Sequence, residues 1–281
     1  MSSSTTGIGR SDFKGHAGTS GLTRFFVMVQ KEALELIRSF KLLWVSLVFV
    51  LLGVMQPISM HFMPLLLEKA GNMPEGTVID IPKPLGEEVL AQTLQQFGTL
   101  GILILVLVAM GTVSGERSSG AASMILVKPI SVLTYIGSKL TTLLLFTFIS
   151  LSAGYLASWY YTGLLFGGVS FDKVLGSLLV YGLWLSFVMT LTVFFSTLLR
   201  SAAAAAFSTL GASVLLSVLA GIFPKQLGWS PGALSGFAYR VVTSGPLHDS
   251  RFVWAIVSAL ILIAAALSAS IWLLKRSPAV D

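Results

Sequence analysis

The sequence predicts an all-α integral membrane protein: six transmembrane helices preceded by an amphipathic interfacial elbow helix. Three observations predict it. Of 281 residues, 54% are hydrophobic and only 11% charged, against roughly 25% charged in a soluble domain. The apolar residues fall into six runs, each near the about 20 residues that cross about 30 Å of hydrocarbon. The basic residues cluster in alternate gaps between those runs, as topology demands.

Residues 1–20, rich in Ser, Thr and Gly, read as a disordered tail. They lack the apolar core and small-residue cleavage site of a signal peptide. Residues 22–40 form the elbow helix. Leu22, Phe25, Phe26, Val29, Ala33, Leu36, Ile37 and Phe40 share one apolar arc at helical spacing. Arg24, Lys31, Glu35 and Arg38 hold the opposite face, with Lys31 and Glu35 as an i,i+4 pair. Such a helix lies in the membrane interface.

The spans are expected at 42–63, 97–114, 140–161, 174–199, 202–223 and 252–274, and none of these ranges contains Asp, Glu, Lys or Arg. Tyr155, Trp159, Tyr160 and Tyr161 mark the interface end of the third. With a cytoplasmic N-terminus, the inner side collects Arg10, Lys14, Arg24, Lys31, Arg38, Lys41, Arg117, Lys128, Lys139, Arg200, Lys275 and Arg276. The outer side collects Lys69, Lys83, Lys173, Lys225, Arg240 and Arg251. Twelve against six favours both termini inside. The +6 net charge then reports orientation and lipid contact, with no nucleic-acid partner.

The loop between spans five and six is expected to carry one or two short helices on the outer leaflet. Ser230 offers an N-cap and Pro231 a first helical position. Glu87 and Glu88 suit a solvated helix N-terminus. In span five, Ala205, Thr209, Ser213, Ser217 and Gly221 recur every four residues. That small-residue stripe permits close helix approach; ordinary packing, a dimer interface and a conduit lining all remain open.

Several chemistries are excluded. There is no cysteine, and His16, His61 and His248 lie far apart, so no metal site is expected. No phosphate loop occurs, since no Gly-Lys pair exists, and no His-Glu-x-x-His. Ser114-Gly115 lacks the preceding glycine of an intramembrane serine protease. No catalytic residue and no cofactor are expected in this chain. Uncharged spans also argue against ion-driven transport, because charges are kept in membranes where ions or protons are handled.

One connector is more than a turn. Residues 116–133, in the stretch GERSSGAASMILVKPISVLTYIGSKL, are long enough for a helix. Glu116 and Arg117 stand at its start, small residues Gly120 to Ser123 permit close approach, and Lys128 and Pro129 close it. A charged partner could dock there, with Met124 and, on the elbow, Lys31 and Glu35 completing the docking set. A passive loop flanked by basic anchors is the simpler reading.

With the elbow KEALELIRS and the six-span layout, this stretch resembles the permease subunit of a type-2 ATP-binding-cassette exporter. Members carry a Lys-Glu-x-x-x-x-x-Arg elbow, matched by Lys31, Glu32 and Arg38. They also carry a Glu-x-x-x-Gly-Thr…Leu-x-x-Pro-Ile/Val-Ser-Arg…Gly-Lys signature. Glu116, Gly120, Leu126, Pro129, Ile130, Ser131 and Lys139 match it. Ala121 replaces the Thr, Val132 replaces the Arg, and Ser138 separates Gly137 from Lys139. The resemblance implies a coupling helix at 116–133 and a second permease copy or a related one. It implies separate ATPase subunits that bind ATP and Mg, and a place in a bacterial cell membrane. Drug, lipid, peptide antibiotic or glycan would be the substrate. A self-sufficient secondary carrier or channel is the first alternative. A membrane-embedded enzyme using Glu87, Glu88, His248 and Asp249 is the second.

Overall fold

The structure is a computed structural model that describes residues 21–70, 83–120, 131–247 and 249–276. The predicted disordered tail and residues 121–130 of the connector lie outside the described residues. All described regular structure is helical, and six helical stretches are long and apolar enough to cross a membrane.

The elbow is α1, Gly21–Arg38. Ser39 and Phe40 turn it into the first span, α2, Lys41–Ala70. Phe40 sits at φ 57°, a left-handed conformation that a bulky residue adopts only when its surroundings hold it there. Its N–H donates to the Ile37 carbonyl and its own carbonyl accepts the Trp44 N–H, each at 3.0 Å. The corner is therefore stitched to both helices.

The second span begins at Gly86, eleven residues before the expected 97 (97 − 86). It comprises α3, Gly86–Gln96; a π-helical turn, Phe97–Gly101; α4, Ile102–Ala109; and, after a break at Met110–Val113, α5, Ser114–Ser118. Its polar first half escaped a hydropathy reading because its partners lie on distant helices. Gln92 accepts from Gln56 at 2.9 Å, and Thr93 shares a hydrogen bond with Ser158 at 2.8 Å. Glu87 pairs with Lys173 at 2.5 Å, so it is an ion-pair partner as well as a helix-start residue. In the π turn, a Cβ at Gly98 would meet the hydroxyls of Tyr181 and Tyr239 at 3.3 and 3.5 Å. Glycine lets both tyrosines reach the backbone there.

The third span is α6, Val132–Leu165, and also starts earlier than the expected 140. Ser131 caps it, its hydroxyl accepting the Thr134 N–H at 3.1 Å. The fourth is α7, Phe171–Leu198, the central helix. Of its most apolar stretch 72% is buried, against 11% for the last span. Leu199, Arg200 and Ser201 lead into α8, Ala202–Ile222. A short turn, α9, Pro224–Leu227, follows, then α10, Ala233–Ser244, and the last span, α11, Ser250–Arg276. Helix α10 starts two residues later than Pro231 (233 − 231). Ser230 and Pro231 still shape its entry, their carbonyls accepting from Ala233 and Leu234. It does not lie loose: Leu234, Phe237, Ala238 and Val242 are buried against the bundle.

Helices α2 and α6 touch backbone to backbone. A Cβ at Gly53 would come 2.1 Å from the Gly154 carbonyl oxygen, and one at Gly154 would come 2.4 Å from that of Phe49. Small residues at such crossings replace the hydrophobic effect, which lipid does not supply between helices. Ser46–Ser150 and Tyr155–Ser177 add hydrogen bonds of 3.1 and 2.8 Å between spans.

Candidate functional site

The densest polar assembly lies where α1, α5 and the first turns of α6 meet. Lys139 is the centre. Its side chain is only 2% exposed, and its Nζ donates to both carboxylate oxygens of Glu32 at 3.0 Å and to Glu116 Oε1 at 2.6 Å. Tyr135, one helical turn earlier, donates its hydroxyl to Glu116 Oε2 at 2.5 Å. Lys31 reaches in from the elbow, 2.9 Å from Glu32, 3.5 Å from Glu116 and 3.6 Å from Glu35. Burial works against the Lys31 charge. The Glu32 hydrogen bond and the Glu32, Glu116 and Glu35 charges outweigh it and raise the Lys31 pKa above its ordinary value.

The local sequence explains the placement. Glu32 lies about 20° from Phe25 on the elbow wheel, at the edge of the apolar arc, so it faces the bundle while Lys31 and Glu35 stay at its rim. On α6, Tyr135, Lys139, Leu143 and Phe146 share one buried face. Lys139, which the sequence left open as a docking-motif residue or a basic anchor, is a buried partner for two carboxylates. Counting the three glutamates against Lys31 and Lys139 leaves one negative charge (−3 + 2). Lys41, Thr112 and Thr142 join Glu32, Glu35, Glu116 and Lys139 in lining a cavity of about 150 Å³, so one further positive charge stands nearby.

The carboxylates of Glu32, Glu35 and Glu116 lie close enough together to share a cation. Two ammonium groups already hold them, and a metal ion would have to displace Lys139 from its tightest contacts. The donor set reads as an ion-pair hub that joins three helices.

A second device holds the break in span two. The Ser196 hydroxyl accepts the N–H groups of Val113 and Ser114 at 3.1 Å each and donates to the Met110 carbonyl at 2.8 Å. Arg117 donates to the Thr197 carbonyl at 2.9 Å. The end of α7 thus supplies the hydrogen bonds that the broken helix lacks.

Of the docking residues expected from sequence, Glu116, Lys31 and Glu35 come together here, and Arg117 binds α7 beside them. Gly120 closes α5 at φ 75°, which favours glycine. Met124, Lys128 and Pro129 lie outside the described residues. In the small-residue stripe, Ala205, Thr209 and Ser213 are buried within the chain. Ser217 shares a hydrogen bond with Ser235 at 3.2 Å, and Gly221 is exposed with no side chain near it. Glu32 as a buried pivot, Tyr135 and Ser196 were not singled out by sequence.

No protein-family profile matches the chain. The chain is 33% identical over 249 residues to the uncharacterized transmembrane protein YxlG of Bacillus subtilis, covering 89% of this chain and 96% of that protein. The chain belongs to the YxlG family. The match covers 249 of the chain's 281 residues. The chain is accordingly a multi-pass membrane protein.

Proposed function

We propose that the chain is the membrane-spanning permease subunit of an ATP-driven ABC exporter. It works as a dimer, with itself or a related permease, above separate ATPase subunits that bind ATP and Mg. It is not itself an enzyme. Both termini and the hub face the cytoplasm, in a cell membrane. One observation carries the reading. The residues that resemble the exporter's elbow and connector motifs, Glu32, Glu116 and Lys139, stand far apart in sequence yet meet in one ion-paired cluster. A motor pushing on the connector would transmit force through that cluster to α1, α5 and α6 together. Arg117 on α5 and Glu35 on the elbow border this surface and serve the docking.

The buried Lys139 also speaks for the alternative, a self-sufficient carrier, since an ionisable residue inside a membrane marks ion handling. Affinity purification in mild detergent from the native host separates the two. The exporter reading expects a near-stoichiometric partner with a phosphate loop, and ATPase activity that Arg117→Ala uncouples from transport. Purification of the chain alone, with ion-gradient-driven flux in vesicles lacking ATP, would sink it.

A further inference from the structure

At the end of the bundle away from the hub, α8 finishes and α11 begins. Between them and the start of α10 lies a cleft of about 380 Å³. Its chemistry is uneven. Arg240 and Arg251 line it, and the single acidic residue in its wall, Asp249, accepts the Arg251 N–H at 3.0 Å and so is engaged at the start of α11. Among the described residues, neither arginine has a carboxylate within 4.0 Å. Arg240 lies over the Phe237 ring at 4.4 Å. A ring contact of this kind takes none of the guanidinium's N–H donors to an oxygen acceptor. Ala233, Ser235 and Gly236, from the first turn of the 12-residue α10, also line the cleft, so the positive end of that helix adds to the two guanidinia.

The surroundings are those of a membrane boundary. Ile222 and Phe223 at the end of α8 are 63% and 46% exposed, and Trp229 and Trp254 are 52% and 62% exposed. Exposed tryptophans at span ends favour the headgroup level. Cations in the cleft, with exposed apolar and aromatic residues following its lining residues Gly221 and Gly228 in the chain, fit a ligand that is anionic at one end and greasy at the other.

We propose that this cleft binds the phosphate of an anionic phospholipid, with Arg240 and Arg251 as its donors and the exposed end of α8 beside its acyl chains. The site is independent of the exporter reading. Two glycines supply the room. A Cβ at Gly221 or Gly236 would meet nothing within 4 Å, so a side chain can start from either position toward the cleft they line without an immediate clash.

The test uses the full chain purified in neutral detergent. Energy transfer from tryptophan to pyrene-labelled phosphatidylglycerol is compared with the same label on phosphatidylcholine. Phosphatidylglycerol is expected to bind about tenfold tighter or more. Arg240→Gln with Arg251→Gln should abolish that preference. Gly236→Leu, which alters no charge and raises helix propensity, should weaken binding about tenfold at an unfolding temperature no lower than that of wild type. Arg38→Gln with Lys275→Gln, far from the cleft, should retain the preference. Equal binding of the two lipids, or Arg240 and Gly236 variants that bind like wild type, would overturn the proposal. Displacement by inorganic phosphate or glycerol phosphate in modest excess would overturn the lipid assignment and make a free anion the occupant.

Discussion

Replacing Lys139 with methionine keeps most of the side-chain volume and removes the charge that Glu32 and Glu116 share. Each contact near 3 Å is worth roughly 5 kcal/mol at an effective dielectric of about 20, and desolvation offsets much of that. What remains after the substitution is two largely buried carboxylates, 10% and 17% exposed at the side chain, with no ammonium between them. Breaking one side of a buried pair costs about 3–5 kcal/mol. Lys31 still lies 2.9 Å from Glu32 and 3.5 Å from Glu116, so the low end, about 3 kcal/mol, is expected. The assay is reversible unfolding of the purified chain in mixed micelles, followed by tryptophan fluorescence. Glu32→Gln alone and combined with Lys139→Met completes a double-mutant cycle, and the double variant should lose clearly less than the sum of the singles. Lys173→Met breaks the more exposed pair with Glu87, 26% and 30% exposed, and should cost about 1 kcal/mol or less. A Lys139 variant no worse than the Lys173 variant, or a cycle without coupling, would refute the hub.

Gly154→Leu drives a side chain into the Phe49 carbonyl and should cost about 3 kcal/mol or more, whereas Gly163→Ala, with open space around its Cβ, should be neutral or gain up to about 1 kcal/mol; the same unfolding assay reads both. Ser196→Ala strips two N–H groups and a carbonyl of their partner and should lose about 1–3 kcal/mol, with faster amide exchange at Val113 and Ser114. The Lys31 pKa is raised in the folded chain, so its stabilisation is complete below the unfolded value of about 10.4 and fades as pH rises through the folded one. Stability should therefore fall at strongly alkaline pH, and Lys31→Gln should flatten that part of the profile. Tyr135→Phe removes the shortest hydrogen bond to Glu116 and should weaken the hub by about 1.5–3 kcal/mol without moving the spans, measured against wild type in the same cycle.

The spans were legible because lipid imposes a simple rule, long apolar helices, and α2, α7, α8 and α11 obey it to within a few residues. The elbow was legible from its single apolar arc. The start of span two was not. Glu87, Gln92 and Thr93 look like solvent-facing polarity in one dimension, and only the approach of Lys173, Gln56 and Ser158 gives them partners on other helices. The hub was half legible. The motif residues were visible, and so was the Lys31–Glu35 pair, now 3.6 Å apart. The pairing of Glu32 with Lys139 joins residues 107 positions apart, and no local period encodes that. Two faint signals existed: Glu32 on the border of the apolar arc, and Lys139 on the same α6 face as Tyr135 and Leu143. Both lost to the ordinary expectation that a lysine near a span end points to water.

The burial of Lys139 need not mean that a charge crosses the hydrocarbon. From Lys139 to Leu165 the helix runs about 39 Å at about 1.5 Å per residue, which exceeds the about 30 Å of the hydrocarbon core. The hub can therefore sit at the membrane boundary, dry because α1 covers it rather than because lipid surrounds it. Separating α1 from α5 would pull Glu32 and Glu116 away from one shared ammonium, against about 3–5 kcal/mol. Bending span two at Met110–Val113 is cheaper, because the Val113 and Ser114 N–H groups already bond Ser196 instead of the helix. A force applied beside Glu116 should then move the elbow and the start of α6 as one body, and flex the second span at the break.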